Sequence, residues 1–484
     1  MKNRSEINTL IIGGGSAGLA LGSLLRSDGV DALVLESHLY PGGSSSYFHR
    51  GPYTFDVGAT TFSGLAPNRP IDLLIKKLSL TSNFQKIDPG IVFYLNNRFL
   101  SRPTNHQEWI REFENFFNLS ATEDFWNKEK ELHDKAWSII QNFSYFPSFK
   151  LKFLSSYLNN KTIFASALLP TLFESMSDAL PSHLKNRSDV ESFLNELLFI
   201  TAQNTTDHTP HLLSAMGLFY PEDTHYCYGG MKSFMHSLAE KCEIKYRQKV
   251  ISISKKNQQF LISTDDHEYI ANKVISTIPI WNTKRLLDSS LTDLISDNIF
   301  KLKEECWSAF SLYFVIPAKE RESLYYQIHF SPEEKRIHQI ASFFVSFSAT
   351  DDLARAPKGF QTVTISIHMK PKKFKTKTDP DYQDQKLKYS KIILDKFLSV
   401  FDYKLEHIQF LTSGSPSTFA RYTQREDGLV GGIPHDIKRF PFDLISPYTK
   451  DDNFFLLGDT VFPGQGLAAT IHGAQQLHKH LIKI

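Results

Sequence analysis

The sequence predicts an α/β protein in which the two ends of the chain build one sheet domain and the middle is inserted between them. Three observations lead there. Residues 7–36 read as strand, glycine-rich turn, helix and second strand. Residues 453–481 read as strand, Gly-Asp, another glycine-rich turn and a final helix, and residues 308–412 carry the alternating apolar segments of a separate sheet.

In the first unit Ile7, Leu10, Ile11 and Ile12 form a short apolar strand, and Ala17, Leu21, Leu24 and Leu25 give the helix one apolar face. Between them Gly13, Gly15 and Gly18 hold the G-x-G-x-x-G spacing. Gly13 permits the tight turn, Gly15 lets the backbone approach a pyrophosphate with no Cβ in the way, and Gly18 lets the helix pack on the strand. The free N–H groups and dipole of the helix start then receive negative charge. Glu36, ending the second strand, is placed to accept both hydroxyls of an adenosine ribose, and an acid there disfavours the 2′-phosphate of NADP. This is a Rossmann-type dinucleotide unit.

The chain runs on through PGGSSSYFHRGPYTFDVGAT, with paired Gly42 and Gly43 and then a hairpin or turn from Gly51 to Gly58 that closes on Asp56. These stretches, the TFARYTQREDG of residues 418–428 and the GDTVFPGQG of residues 458–466 resemble the phytoene desaturase and carotenoid isomerase family of FAD oxidoreductases. The resemblance covers the first 65 residues, the Tyr226–Met231 segment with Gly229 and Gly230, the β-meander after it and the last 75 residues. Three departures are visible. Ser46 stands where the isomerases usually carry glycine, Gly51-Pro52 replaces an acid-glycine pair, and Cys227-Tyr228 replaces the family's Pro-Lys.

The architecture this implies is a discontinuous Rossmann-type FAD-binding domain (residues 1–65, 226–305 and 413–484) with an inserted antiparallel-sheet plus helical substrate domain (residues 66–225 and 306–412), as in the amine oxidases. Physically, Asp459 after Gly458 suits a carboxylate bonding ribityl hydroxyls, and Gly464 and Gly466 let backbone lie against an isoalloxazine ring. The helix from about Leu467 would aim its positive end at the flavin N1/O2 edge. The resemblance implies one non-covalent FAD held by Gly13, Gly15, Ser16, Ala17, Gly18, Glu36, Gly43, Ser44, Gly58, Ala59, Gly458, Asp459, Gly466 and Leu467, with Val250 meeting the adenine through its backbone. A plain core valine on a strand explains Val250 equally well. The implied activity is desaturation or cis-trans isomerisation of a lipophilic polyene or isoprenoid. Two other classes share the architecture: non-catalytic escort proteins of prenylated partners, which do not use flavin, and non-covalent flavin amine oxidases. The complete glycine fingerprint and the Gly458-Asp459 block speak for flavin use.

The middle of the chain reads as largely helical over residues 65–225 and as sheet over AFSLYFVI, IASFFVSFS and QTVTISIH, followed by one helix from about Tyr382 to Phe401. The 484 residues are 41% hydrophobic and 22% charged, which is ordinary globular usage, and a net charge of +2 points to no nucleic acid or other polyanion. Cys227, Cys242 and Cys306 are far apart and odd in number, so neither a disulfide framework nor a metal site is expected. With the nucleotide unit starting near Met1 and no apolar run of spanning length, the expected location is cytoplasmic. Of the 39 phenylalanines, several cluster with Lys150, Lys152 and Lys161 between Asn142 and Phe173. That pattern suits either a surface dipping into a bilayer or a core helix with solvated lysines. His225, His435 and His472 sit in or near the family-like blocks, and His208 and His211 form an HTPH pair. Each is read first as a structural histidine, and no acid or base residue is assigned.

Overall fold

The computed structural model describes residues 3–58, 60–141, 168–439 and 443–483. In chain order the strands are β1 (Asn3–Ile12), β2 (Ala32–Leu35), β3 (Tyr47–Arg50), β4 (Tyr53–Asp56), β5 (Phe84–Lys86) and β6 (Ile91–Leu95). Next come β7 (Arg98–Arg102), β8 (His225–Cys227), β9 (Glu243–Lys245), β10 (Val250–Lys256), β11 (Gln259–Thr264) and β12 (His267–Ser276). The rest are β13 (Ser308–Pro317), β14 (Tyr325–His329), β15 (Ser342–Phe347), β16 (Phe360–Met369), β17 (Phe410–Gly414) and β18 (Phe454–Leu456).

The first sheet has the order β10-β11-β12-β1-β2-β9, with β18 also on β12. The first half of β12 pairs with β11 and its second half, Val274 to Ser276, pairs in parallel with β18. Strand β1 lies between β12 and β2, parallel to both. Its Ile11 packs under the helices Ser16–Ser27 and Leu467–Leu481, whereas Leu10 and Ile12 face the opposite layer around Val274 and Trp281. Covering on both faces is why the strand reads as a continuous apolar run instead of an alternating one.

The second sheet has the order β17-β13-β16-β15-β14-β6-β7. Its pairings are antiparallel except β14 with β6. Val363, Ile365 and Ile367 of β16 share one face and pack with Phe397 of the helix Tyr382–Phe401, the span expected from the sequence. The described part of residues 65–225 is largely helical, as expected, with short strands among the helices. It supplies the helices His106–Phe117, Glu123–Ile140 and Ser188–Ala202 but also β5, β6 and β7. The reason for the strands is local: Ile91–Leu95 is too short an apolar run for a helix, and Asn96 and Asn97, both with positive φ, turn it straight into β7.

A hairpin does form from β3 and β4, but it starts at Tyr47 with Gly51-Pro52 as its turn, ahead of the expected Gly51–Gly58 span, and it ends as expected on Asp56, which is fully buried. Asp56 accepts from the Met231 N–H at 2.9 Å and from Arg355 Nη1 at 2.7 Å, while Arg355 Nε donates to the Thr54 carbonyl. Nearby Asp352 accepts from the Tyr226 hydroxyl at 2.6 Å and from the Gly229 N–H at 2.8 Å. These two carboxylates tie the hairpin, the Gly229-Gly230 turn and the segment after β15 into one buried node. Among the described residues no helix is long and apolar enough to cross a membrane.

Removing one partner of a buried ion pair strands the other charge in a low-dielectric site. Arg355→Met should therefore lower the unfolding free energy by about 3–5 kcal/mol in urea titrations followed by circular dichroism. A loss below about 1 kcal/mol, the range of an exposed pair, would contradict a structural role for the node.

Candidate functional site

The turn between β1 and the helix Ser16–Ser27 depends on missing side chains. A Cβ on Gly18 would lie 2.0 Å from the Gly13 carbonyl oxygen, so only glycine lets helix and turn approach this closely. Gly15 is different. As the N-cap of the helix it faces open space, with no atom within 4 Å of a Cβ placed on it. Beside it, Gly42 accepts the geometry of a tight turn and donates its N–H to the Gly14 carbonyl, which brings Gly43 and Ser44 against the cradle. The Ser44 hydroxyl is buried and has no hydrogen-bond partner.

Glu36 ends its strand buried, with one carboxylate oxygen accepting from the Gly14 N–H and the other from the His38 N–H, both at 2.7 Å. A carboxylate so held still has lone pairs to offer. From the other end of the chain, Asp459 follows β18 and is paired with Arg425 at 2.7 Å. Gly466 caps the helix Leu467–Leu481 with φ +91° and, like Gly15, faces open space.

A single cavity of about 1540 Å³ joins these parts. Gly13, Gly15, Ser16, Ala17, Glu36, Gly43, Ser44, Gly58, Val250, Gly458, Asp459, Gly466 and Leu467 all line it. Gly18 lies behind the wall as a packing residue, and Ala59 falls outside the described residues. From the cradle the cavity runs to the second sheet, past Phe199, Trp307 and Phe344. The two ends are stitched together: Gln203, at the end of the helix Ser188–Ala202, donates to the Val430 carbonyl, and Asn204 donates to the His435 carbonyl. Open backbone at two helix starts, a buried unpartnered hydroxyl and a carboxylate at the strand end fit a dinucleotide lying across the sheet.

A family model described as flavin containing amine oxidoreductase matches residues 16–351. The chain belongs to this family. A flavin is accordingly its cofactor class, and the chain is that of an enzyme. It is similar to the prolycopene isomerase of Daucus carota, 26% identical with 98% of this chain and 80% of the relative covered. It is also similar to a 1-hydroxycarotenoid 3,4-desaturase of a Flavobacterium, 22% identical over 96% and 97% of the two chains. Among solved structures, an oxidoreductase of Methanosarcina mazei shares the fold with a TM-score of 0.60, at 15% identity and with 98% and 100% of the two chains covered.

The histidines of this flavoprotein separate by environment. His435 and His472 line the cavity, and burial pushes each down to about 4, so both rings are neutral at pH 7. His225 donates through Nδ1 to the Asp223 carbonyl. His208 and His211 do not converge: His208 lies 3.3 Å from Asp436, whereas His211 is fully buried with Nδ1 on Glu174 and Nε2 on Glu129, each at 2.7 Å. Among the described residues no group of three or more His, Cys, Asp and Glu is arranged to hold a metal. The three cysteines are free and buried. Sequence reasoning missed Gln203, Phe199, Trp307 and the Asp56–Arg355 pair, because their partners lie far along the chain.

Because Gly15 has room for a side chain in the protein itself, Gly15→Val should fold normally yet obstruct the pyrophosphate. The expected outcome is wild-type thermal unfolding of the flavin-free protein with no flavin retained on purification. Retention of a full complement would show that this loop is not the cradle.

Burial works to lower His211, but its bonds to Glu129 and Glu174 prevail and hold it above the ordinary histidine value. Its contribution to stability is therefore complete below about pH 6.5 and is lost as pH rises through the folded-state value. Unfolding free energy measured from pH 6 to 9 should fall more in wild type than in His211→Gln. Parallel curves would contradict the linkage.

Proposed function

We propose that this chain is an FAD-dependent oxidoreductase that acts on a lipophilic polyene or isoprenoid, by desaturation or by cis-trans isomerisation of C=C bonds. The observation that carries the reading is the continuity of one large cavity from the glycine cradle to an aromatic wall on the second sheet. The similarity to a prolycopene isomerase and a carotenoid desaturase over nearly the whole chain supports the same substrate class.

In this reading the regions 1–65, 226–305 and 413–484 hold the FAD, and 66–225 and 306–412 hold the substrate. Gly13, Gly15, Ser16, Ala17 and Gly18 shape the pyrophosphate cradle, with Gly43 and Ser44 on its other side. Glu36 takes the ribose and the Val250 backbone meets the adenine, while Gly458 and Asp459 take the ribityl chain. Gly58 borders the ring, and Gly466 and Leu467 bring a helix start to its pyrimidine edge, favouring negative charge there. When bound, the flavin supplies the electron chemistry, accepting hydride from a saturated bond or lending electron density to a polyene. The protein's own part is positioning and dryness. Phe199, Trp307 and Phe344 give flat apolar surfaces for an extended conjugated chain, and the neutral His435 and His472 add no charge to the cavity. No side chain is assigned a proton transfer.

Contact with a membrane is also part of this reading. It rests on the Asn142–Phe173 sequence, of which residues 142–167 lie outside those described.

Acid precipitation of the purified protein should release a yellow cofactor identical to FAD in chromatography. Supplied with cis and partly saturated polyenes, the oxidised holoprotein should desaturate or the reduced one isomerise. A colourless protein that takes up no FAD would favour the escort reading, and turnover of a small water-soluble amine in place of polyenes would favour an amine oxidase.

A further inference from the structure

The alternation in β16 divides its side chains cleanly. Val363, Ile365 and Ile367 enter the apolar core against the helix Tyr382–Phe401, so Ser366 and His368 point to the opposite face, where both line the cavity. Across the sheet, His368 sits opposite Ala309 of β13, and Ser366 is flanked by Phe344 of β15. The His368 ring meets Phe199 edge-on at 5.2 Å between centroids, and Phe199 meets Trp307 in the same way at 4.6 Å. Trp307 in turn pairs with Val430, whose carbonyl receives Gln203, so this wall is continuous with the glycine turns of the cradle.

Neither polar group is satisfied by the protein. The Ser366 hydroxyl and the His368 imidazole have no hydrogen-bond partner among the described residues, and both face the cavity, whose wall here also carries the rings of Phe199, Trp307 and Phe344 and the Lys370 ammonium over the Trp307 ring. Burial alone pushes His368 down to about 4, so at pH 7 the ring is neutral, with one N–H donor and one acceptor nitrogen. A pure hydrocarbon packed against this wall would displace water from the imidazole and hydroxyl and leave them unpaired. That costs more than the hydrogen bonds themselves contribute when made. An oxygen on the ligand removes the cost.

We infer that the substrate is an oxygenated polyene or isoprenoid, bearing a hydroxyl or carbonyl oxygen that hydrogen-bonds to His368 and Ser366, two specificity-determining residues on the sheet side of the cavity. The inference rests on the polyene reading above and narrows it. It sorts substrates by their polar end while leaving the reacting bond unspecified. A hydroxyl complements the pair fully, because it donates to one group and accepts from the other.

Two polyenes of equal length, one a hydrocarbon and one with a terminal hydroxyl, should be titrated into the oxidised holoprotein, with binding followed by the polyene absorption shift. Wild type should prefer the hydroxylated ligand by about tenfold or more, the range set by one unsatisfied buried polar group. His368→Leu should bring the two affinities within about twofold without weakening the hydrocarbon, and Ser366→Ala should reduce the preference partway. FAD content and visible flavin spectrum should not change in either variant. Equal affinity of wild type for the two ligands would overturn this inference and leave the polyene reading standing. Binding of neither ligand would overturn both.

Discussion

Everything in this molecule hangs on the middle position of β1. A parallel strand buried on both faces needs parallel neighbours on both edges, and parallel neighbours cannot come from a hairpin. β2 is reached through the helix Ser16–Ser27, but β12 arrives after more than two hundred intervening residues and β18 after almost the whole chain. The split of β12 between β11 and β18 shows how this is managed. Its outer half closes the meander, and its inner half, next to the glycine turn after β1, is left for the C-terminal strand. The Gly458-Asp459 pair is thereby delivered beside Gly13, where the carbonyl of Thr277 limits Gly458 to glycine.

The same constraint produces the cavity. Segments that must leave the sheet and return cannot close tightly over its carboxyl edge, and that edge is where ligands of open α/β sheets bind. The second sheet and its helices roof this space, and contacts such as Gln203 to Val430 and Gln465 to the Thr201 carbonyl fasten roof to cradle. The buried Asp56–Arg355 pair anchors the opposite side. Function then follows from what the roof presents to the cradle: aromatic surface and a neutral imidazole at His368.

Much of this was legible in the chain because it is encoded locally. Gly13, Gly15, Gly18 and Glu36 lie within one strand-helix-strand unit, and their spacing alone fixes a turn, a cap and a strand end. The C-terminal strand, turn and helix are equally local, as is the helix Tyr382–Phe401. The strands β5 to β7 were hidden within a helical stretch because short apolar runs carry no period of their own. The polar face of β16 was visible as alternation in QTVTISIH, but which side met the core and which the cavity depends on the helix packed behind it. Arg355 and Asp352 gave no signal at all. Their roles exist only where the chain brings Asp56, Tyr226 and Gly229 to meet them.

A crystal structure of the flavin-loaded protein with a bound polyene tests the central claim most directly, that both chain ends build one cradle opening on one substrate space. The expected density has the pyrophosphate on the Gly15 turn, the adenosine ribose on Glu36 and the flavin ring beside Gly466, with the polyene running from the ring toward Trp307 and His368. A flavin held away from Gly15 and Gly466, or a polyene outside the shared cavity, would contradict it.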